Sequence, residues 1–266
     1  MGEASAPFDE MYDVQPIAPA QFAADFPDGW QQGRGLYGGL VTAALIRALE
    51  RSSPARPLRS LTAELCGPAR PGRAELHVEP LRVGSAVSTV AVRMVQGGEV
   101  QAHAVGVLGG PRREVVDRTQ LPGPGPGDWR ALQVVAVEPP LGPAFARYFE
   151  YRTARFPFSG ETEARAEGWV RPLNPGPSRG AAFLAGCIDA YWPAEYVTFP
   201  APRPMATIAF TFQPLGTFEG LDPDAPMYFR SSLAASRAGF GVEFRELWGA
   251  DGRLLALNQQ TMCTIK

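Results

Sequence analysis

Two stretches of the chain are apolar on nearly all sides for about three helical turns, from residue 38 to about 51 and from residue 180 to about 192. A helix without a polar face belongs in the interior, so this pattern predicts two buried helices. Around them apolar and polar residues alternate, as at 74–79 and 242–245. The alternation predicts antiparallel strands with one face in solvent, and it assigns Glu243 and Arg245 to that solvent face.

Turn-forming pairs and one Pro/Gly-rich stretch separate the predicted elements. Pro71-Gly72, Gly97-Gly98 and Asp251-Gly252 divide neighbouring strands. The run LPGPGPG at 121–127 can form neither a helix nor a central strand, so we expect the chain to change domain there. The prediction is an α+β protein with an N-terminal unit at 1–120, a linker at 121–144 and a C-terminal unit at 145–266. In each unit an antiparallel sheet wraps around one buried helix.

The two units align as a weak internal repeat. Three segments match in the same order, namely 38–46 with 181–189, 56–60 with 203–207, and 98–102 with 252–256. At three matched positions the second unit is more polar: Asp189 replaces Ile46, Thr207 replaces Ser60, and Gln260 replaces Gly106. Residues that only maintain a scaffold should be shared by both copies. A polar trio in one copy therefore indicates a single working site.

Composition and charge narrow the class of protein. The chain has 266 residues, of which 45% are hydrophobic and 20% charged, and its formal net charge is −2, so we do not expect it to bind nucleic acid. No apolar run approaches the ~20 residues that cross a bilayer, and the first residues lack the pattern of a signal peptide. Cys66, Cys187 and Cys263 are far apart and odd in number, which fits a reducing compartment. We expect a cytoplasmic protein without a membrane partner, a disulfide or a metal site.

Two short motifs suggest functions that their surroundings do not support. Gly176-Pro-Ser-Arg-Gly180 fits a nucleophile elbow, but no buried strand precedes it and no histidine follows His103. Gly33-Arg-Gly-Leu-Tyr-Gly38 fits a dinucleotide-binding loop, but the required strand and βαβ unit are missing. We therefore predict neither a serine hydrolase nor a nicotinamide cofactor. The glycines before the first helix either allow tight packing of the turn or leave N–H groups free for an oxyanion.

Asp189 is the anomalous residue of the second predicted helix, because it stands in the middle of the apolar run AGCIDAYW. Burial disfavours an ionised carboxylate, which raises its pKa and makes it a stronger base toward water. Pro193 cannot donate a hydrogen bond to the carbonyl group of Asp189, so the helix should bend or end there. Asp189 is either a structural carboxylate bonded to a strand or a general base, and the difference between the two copies favours the base.

The chain resembles the acyl-CoA thioesterase II-like family, whose members have a double hot-dog fold. The resemblance covers about 20–110 and 145–266 and rests on ordered motifs more than on any single one. These motifs are Tyr37-Gly-Gly39, LTAELCGPARPG at 61–72, LRVG at 81–84, CIDAYWP at 187–193, MATI at 205–208 and DGRLLALNQQ at 251–260.

The resemblance implies a site in which Asp189, Thr207 and Gln260 hold the hydrolytic water. Strand alternation sends the neighbouring Gln259 to the opposite face. The resemblance also implies that the loop before the first helix binds the substrate through Tyr37, Gly38 and Gly39, with the N–H group of Gly39 as an oxyanion donor. The implied reaction needs no cofactor.

Family members often carry a small hydroxyl residue two positions before the final glutamine, where this chain has Asn258. The implied substrate is an acyl-CoA, but the motifs distinguish neither coenzyme A from acyl carrier protein nor general-base attack from an anhydride route. Phe183, Tyr191 and Trp192 either line an acyl-chain site or belong to the core.

Two other functions stay open on the same fold. A non-catalytic module would bind an acyl-CoA or a related acyl ligand without turning it over. A hydratase or dehydratase would need a histidine beside the aspartate, and neither His77 nor His103 lies in a predicted helix or in the second unit. Open edges of antiparallel sheets also allow the chain to pair into a homo-oligomer.

Overall fold

The computed structural model describes residues 6–112, 118–124, 127–140 and 142–265. These ranges contain two α-helices, α1 (Gly38–Ser52) and α2 (Ala181–Asp189), and fifteen strands. The strands are β1 (Gln15–Ala18), β2 (Gln21–Phe26), β3 (Gln31–Gln32), β4 (Gly35–Leu36), β5 (Leu58–Leu65), β6 (Gly72–Val83), β7 (Val87–Gln96), β8 (Glu99–Gly109), β9 (Val134–Val135), β10 (Phe149–Arg152), β11 (Arg165–Pro172), β12 (Met205–Pro214), β13 (Met227–Arg237), β14 (Phe240–Trp248) and β15 (Leu254–Thr264).

Thirteen of these strands form one antiparallel sheet, in the order β1-β2-β6-β7-β8-β5-β12-β15-β14-β13-β11-β10-β9. Strands β3 and β4 form a separate small hairpin that leads into α1. In the middle of the large sheet β5 pairs with β12, where Ala63 lies opposite Phe210. The strands before residue 110 lie on one side of this pair and those after residue 133 on the other. Both helices pack against the sheet and against each other.

The helix α1 is buried over almost its whole length, as its apolar sequence predicts. Leu40, Ala43, Leu45 and Ile46 are all fully buried. The N-terminal residues 6–14 pack over the helices, and the ring of Phe8 contacts four other aromatic side chains. The contacts of α1 with α2 and with the strands β5, β6, β7 and β8 bury this helix, which accounts for its largely apolar sequence.

The helix α2 is shorter than the sequence pattern predicts. The prediction ran from 180 to about 192, but the helix ends at Asp189, and a 3-10 helix at Ala194–Val197 follows. Pro193 lacks the N–H group that would continue the helical bonding, which explains the early end. Asp189 is therefore the last residue of α2 rather than a residue in its middle, and its side chain lies at a helix end.

The prediction for the faces of β14 is wrong. Glu243 and Arg245 point inward and are 0% and 2% exposed, whereas Phe244 between them is 52% exposed. A strand alternates in the same way whichever face is buried, so the alternation at 242–245 could not tell inside from outside. The usual assignment fails here because the buried side of β14 faces a polar site.

The predicted turns and linker fall at the ends of elements. Gly97 and Gly98 join β7 to β8 with φ angles of +62° and +84°, which glycine adopts without strain. The described part of the predicted linker at 121–144 contains β9 and a 3-10 helix at Trp129–Ala131. Some predicted linker residues, 125–126 and 141, lie outside the described ranges. The division into two units with this linker stays a prediction.

Candidate active site

The carboxylate of Asp189 lies where the end of α2 meets the beginning of α1. The side chain is 7% exposed. Its Oδ1 atom accepts a hydrogen bond of 2.6 Å from Nε2 of Gln260. The carboxylate also accepts one from the backbone N–H group of Gly39. This aspartate is therefore bonded to the strand β15 and to the first turn of α1.

Gln260 links Asp189 to Thr207, so the structure brings the predicted trio together. The hydroxyl group of Thr207 donates a hydrogen bond of 2.6 Å to Oε1 of Gln260. The two residues come from the neighbouring strands β12 and β15, and a register shift between Thr207 and Ala209 lies beside the contact. Gln260 is fully buried, whereas Gln259 is partly exposed, as expected if it faces the opposite side of the sheet.

Gly38 and Gly39 allow α1 to approach Asp189 closely. A Cβ atom on Gly38 would lie 3.0 Å from Oδ2 of Asp189, and one on Gly39 would lie 3.0 Å from the Cβ atom of Asp189 and collide with the hydroxyl group of Tyr37. The two glycines therefore permit tight packing against Asp189, as the first interpretation expects. The N–H group of Gly39 donates to Asp189, and its role toward an oxyanion stays a prediction.

Tyr37 holds the two helices together. Its ring is fully buried and stacks on Phe145 with ring centroids 3.9 Å apart, and its hydroxyl group donates to the carbonyl oxygen of Gly186 in α2. The side chain thus fixes α2 against the start of α1, which sets the position of Asp189. The substrate role assigned to Tyr37 by the resemblance stays a prediction.

Three further polar side chains surround the trio, and the sequence predicts a place in the site for none of them. Asn258 accepts a hydrogen bond of 3.0 Å from Nε2 of Gln260 and donates one of 2.6 Å to the carbonyl oxygen of Thr211. Glu243 and Arg245 form an ion pair of 2.8 Å beside the Asp189 carboxylate. The local sequence holds no signal for this burial, since a charged residue on each side of Phe244 is compatible with either face being buried.

The surroundings of Asp189 have opposing effects on its pKa. Burial raises the pKa of Asp189, and this is the largest effect. The positive charge of Arg245 and the hydrogen bonds from Gln260 and Gly39 lower it, while the negative charge of Glu243 raises it. The net pKa is raised, so the group is a stronger base than an exposed aspartate.

The other residues considered from the sequence lie elsewhere. His77 contacts Glu75 at 3.1 Å and His103 contacts Glu64 at 3.0 Å, both on partly exposed strands of the first half. Ser178 lies in a loop before α2, where its N–H group donates to Asp9. In the ranges that the structure describes, no cluster of three or more His, Cys, Asp or Glu residues could hold a metal ion.

Two cavities of about 270 and 360 Å³ lie near the surface around residues 218–227. Phe183 lines the smaller one, but Asp189, Thr207 and Gln260 line neither. Phe183, Tyr191 and Trp192 belong to the buried core. With 7% of its side chain exposed, the Asp189 carboxylate is largely enclosed between the helices and the sheet.

The fold matches known proteins along nearly all of the chain. A conserved protein of unknown function with a hot dog fold from Alicyclobacillus acidocaldarius has a TM-score of 0.87 and 23% identity, and 99% of each chain is covered. Acyl-CoA thioesterase II TesB2 from Mycobacterium marinum has a TM-score of 0.75 and 18% identity, with 97% of each chain covered. The tesB protein of Mycobacterium avium subs paratuberculosis has a TM-score of 0.74 and 18% identity, with 96% of this chain and 97% of the other covered. The chain therefore has a hot-dog fold.

Two family models match the sequence. The acyl-CoA thioesterase N-terminal domain matches residues 26–109, and the acyl-CoA thioesterase C-terminal domain matches residues 117–264. The chain thus belongs to the acyl-CoA thioesterase family, which confirms the resemblance seen in its motifs, and its class of activity is thioester hydrolysis. No curated protein matches the chain. Within the described ranges, neither helix is long and apolar enough to cross a membrane.

Proposed function

We propose that the chain hydrolyses an acyl-CoA to a free acid and coenzyme A, with Asp189 as the general base. The observation that carries this proposal is the chain of hydrogen bonds from Thr207 through Gln260 to Asp189 under the first turn of α1. A general base needs a raised pKa and a fixed orientation, and Asp189 has both.

In this reaction Asp189 removes a proton from a water molecule held beside Thr207 and Gln260. The oxygen of that water attacks the thioester carbonyl carbon and forms a tetrahedral intermediate with an oxyanion. The C–S bond then breaks, coenzyme A leaves as a thiolate, and the acyl group leaves as the acid. Direct attack by Asp189 would give an anhydride instead, and the same geometry is compatible with it.

Backbone N–H groups at the start of α1 are suited to the oxyanion, because a helix N-terminus carries a partial positive charge. The N–H group of Gly39 donates to Asp189 in the structure. In the proposed mechanism the thioester oxygen takes over this donor when the substrate enters. Because the carboxylate is only 7% exposed, entry requires a local opening.

We infer that the fold is a double hot-dog with one working site, because the strands of the two halves pair in corresponding registers. In the second half Gln260 pairs with Phe210 and Glu243, and in the first half Gly106 pairs with Leu61 and Val90. Both β12 and β5 have a register shift just before this point.

When the register shift of β12 is aligned with that of β5, Leu58 corresponds to Thr207. The sequence alignment, which matched Ser60 with Thr207, is thereby moved by two residues. Arg245 and Asn258 pair with each other, and in the first half the same positions hold Val92 and Ala104. The first half is thus apolar wherever the second half has a polar residue of the site, which supports a single working site.

The acyl group would lie beside the buried aromatic residues of α2 and the segment after it. Phe183, Tyr191 and Trp192 supply apolar surface there, but each is also packed in the core. Cytoplasmic location and the pairing of copies into a homo-oligomer stay predictions.

A panel of short, medium, long and aromatic acyl-CoAs tests the proposal, with release of free thiol as the readout. We expect turnover of at least one class of substrate. A non-catalytic acyl-CoA-binding module is the alternative, and it is compatible with the closed carboxylate. It would raise the Tm of the protein in the presence of acyl-CoA without any thiol release, and that result would contradict hydrolysis.

A further inference from the structure

Two charged side chains of β14 lie inside the protein, next to Asp189. Glu243 is 0% exposed and Arg245 2% exposed. Burying charges is costly unless they are paired and hydrogen-bonded, so their retention at this place needs an explanation. Phe244, which stands between them in the sequence, is 52% exposed, so an apolar residue of β14 faces outward while two charged residues face inward.

Glu243 fixes the position of Arg245. Its Oε1 atom accepts a hydrogen bond of 2.8 Å from Nε of Arg245. Its Oε2 atom accepts one of 2.7 Å from the backbone N–H group of Ala194, just after α2. Both oxygens of Glu243 are therefore bonded, and the carboxylate links the arginine to the segment that leaves the helix.

Arg245 in turn contacts the last turn of α2. Its Nη1 atom lies 3.3 Å from the carbonyl oxygen of Ile188 and 3.4 Å from Oδ1 of Asp189. The guanidinium carbon lies 5.6 Å from the ring centre of Phe229. A cation at a helix C-terminus is favourable, because the helix end carries a partial negative charge. Here that cation also faces the carboxylate of the proposed base.

The groups around Asp189 come from every element packed against it. They are Cys187 of α2, Tyr37 and Gly39 at the start of α1, Tyr151 of β10, Thr207 of β12, Glu243 and Arg245 of β14, and Asn258 and Gln260 of β15. Burial raises the pKa values of Tyr37, Tyr151 and Cys187 well above their usual range, so these three stay neutral. Of the described groups named here, Arg245 is positive and Glu243 is negative.

We propose that Arg245, held in place by Glu243, is a positioning residue that keeps the Asp189 carboxylate turned toward Gln260 and supplies the positive charge it faces. The expected effect of Arg245 on turnover rests on the proposed function. Glu243 has two opposite effects, because it orients the arginine and also repels Asp189. The ion pair of Arg245 and Glu243 therefore limits the rise in the pKa of Asp189 and leaves its carboxylate able to ionise.

The proposal predicts opposite shifts for two variants. Removal of the positive charge in Arg245→Met disfavours ionised Asp189, so the acid limb of the pH profile of kcat/KM moves to higher pH. Removal of the negative charge in Glu243→Gln moves that limb to lower pH. We expect the kcat/KM on the acid limb, relative to the alkaline plateau, to fall about tenfold in the first variant and to rise in the second.

Arg245→Met leaves Glu243 buried and unpaired, so this variant can fail to fold. In that case the double variant Glu243→Gln/Arg245→Met removes both charges together, and Arg245→Lys keeps the positive charge. We expect Arg245→Lys to restore the position of the acid limb in part. Phe244→Gln, on the outer face of the same strand, is the matched control and should leave the profile unchanged.

A titration of the Asp189 carboxyl carbon by NMR in the whole protein follows the same charge effect without turnover, and the Asp189→Asn spectrum assigns the signal. Opposite displacements of this titration in Glu243→Gln and in the arginine variants support the proposal. Equal titrations in all variants, or displacements of the same sign, overturn it. If the titrations shift as expected but no acyl-CoA is hydrolysed, the proposed function fails while the charge arrangement stands.

Discussion

Nε2 of Gln260 donates a hydrogen bond of 2.6 Å to Oδ1 of Asp189, although 71 residues separate the two in the chain. Oε1 of the same amide accepts a hydrogen bond from Thr207. The Oδ1 atom of Asp189 accepts this bond whether the carboxyl group is ionised or protonated. Gln260 therefore fixes the orientation of the Asp189 carboxyl group between β15 and the start of α1.

Replacing the amide should slow the reaction without unfolding the protein. In Gln260→Leu the Asp189 carboxylate loses its partner on β15, and a misplaced base costs about 10²-fold in rate. We expect a fall of that order in kcat/KM, measured by thiol release. Gln259→Leu is the matched control, since Gln259 is on the other face of β15. An equal fall of kcat/KM in both variants would show that Gln260 has no specific role in the site.

The close approach of α1 to Asp189 predicts a steric effect. In Gly39→Ala the new methyl group collides with the hydroxyl group of Tyr37 and lies 3.0 Å from Cβ of Asp189. We expect about 1–3 kcal/mol of lost stability, measured by urea unfolding, together with reduced turnover.

Gly180→Ala is the control for this glycine, because it precedes α2 with a φ angle of −90° and no atom within 4 Å of the added methyl group. It should leave stability within about 0.5 kcal/mol of the wild type. A Gly39→Ala variant as stable and active as Gly180→Ala would show that the contact between α1 and Asp189 is looser than described.

Asp189→Asn should make the protein more stable than the wild type at pH values above the raised pKa of Asp189. Because the pKa of Asp189 is raised by burial, the folded chain binds more protons than the unfolded chain between the usual and the raised pKa. The free energy of unfolding of the wild type therefore falls as pH rises through that window, by about 1.4 kcal/mol for each unit of pKa difference.

Asparagine carries no such proton, so the advantage of Asp189→Asn should appear within that window and be complete above the raised pKa. Urea unfolding of both proteins across this pH range measures it. A difference that does not vary with pH would mean that Asp189 has the same pKa in the folded and unfolded chains.

The position of an ¹⁸O label detects a covalent anhydride that water opens at the carboxyl carbon of Asp189. In a single turnover in H₂¹⁸O, attack by water held at Asp189 puts the label in the released acid and none in the protein. We expect this result by mass spectrometry of the acid and of the Asp189 peptide. Label in the Asp189 carboxyl group would instead establish a covalent route.

The sequence was sufficient for the helices, the family and the approximate position of the trio. The lack of a polar face predicts both helices, and Asp189 stands out because it is a charged residue within the apolar segment of the second helix. The apolar pattern puts the end of α2 about three residues too late, whereas Pro193, which cannot bond the carbonyl group of Asp189, already indicates a bend or an end there.

The surroundings of Asp189 were harder to predict. Glu243 and Arg245 alternate with apolar residues as solvent-facing residues do, and alternation has the same period on both faces of a strand. Their burial follows from the pairing of β14 with β15, which is a long-range relationship between Glu243 and Gln260. Local pattern carries no information about that pairing.

Thiol release by the wild type and by Asp189→Asn, with the same acyl-CoA at saturating concentration, tests the central claim most directly. Glu50→Gln, in which another largely buried carboxyl group with a raised pKa is changed, serves as the control. We predict that Asp189→Asn folds, binds the substrate and loses about 10²–10⁴-fold in kcat, while Glu50→Gln retains activity. A folded Asp189→Asn protein with undiminished kcat would contradict the account.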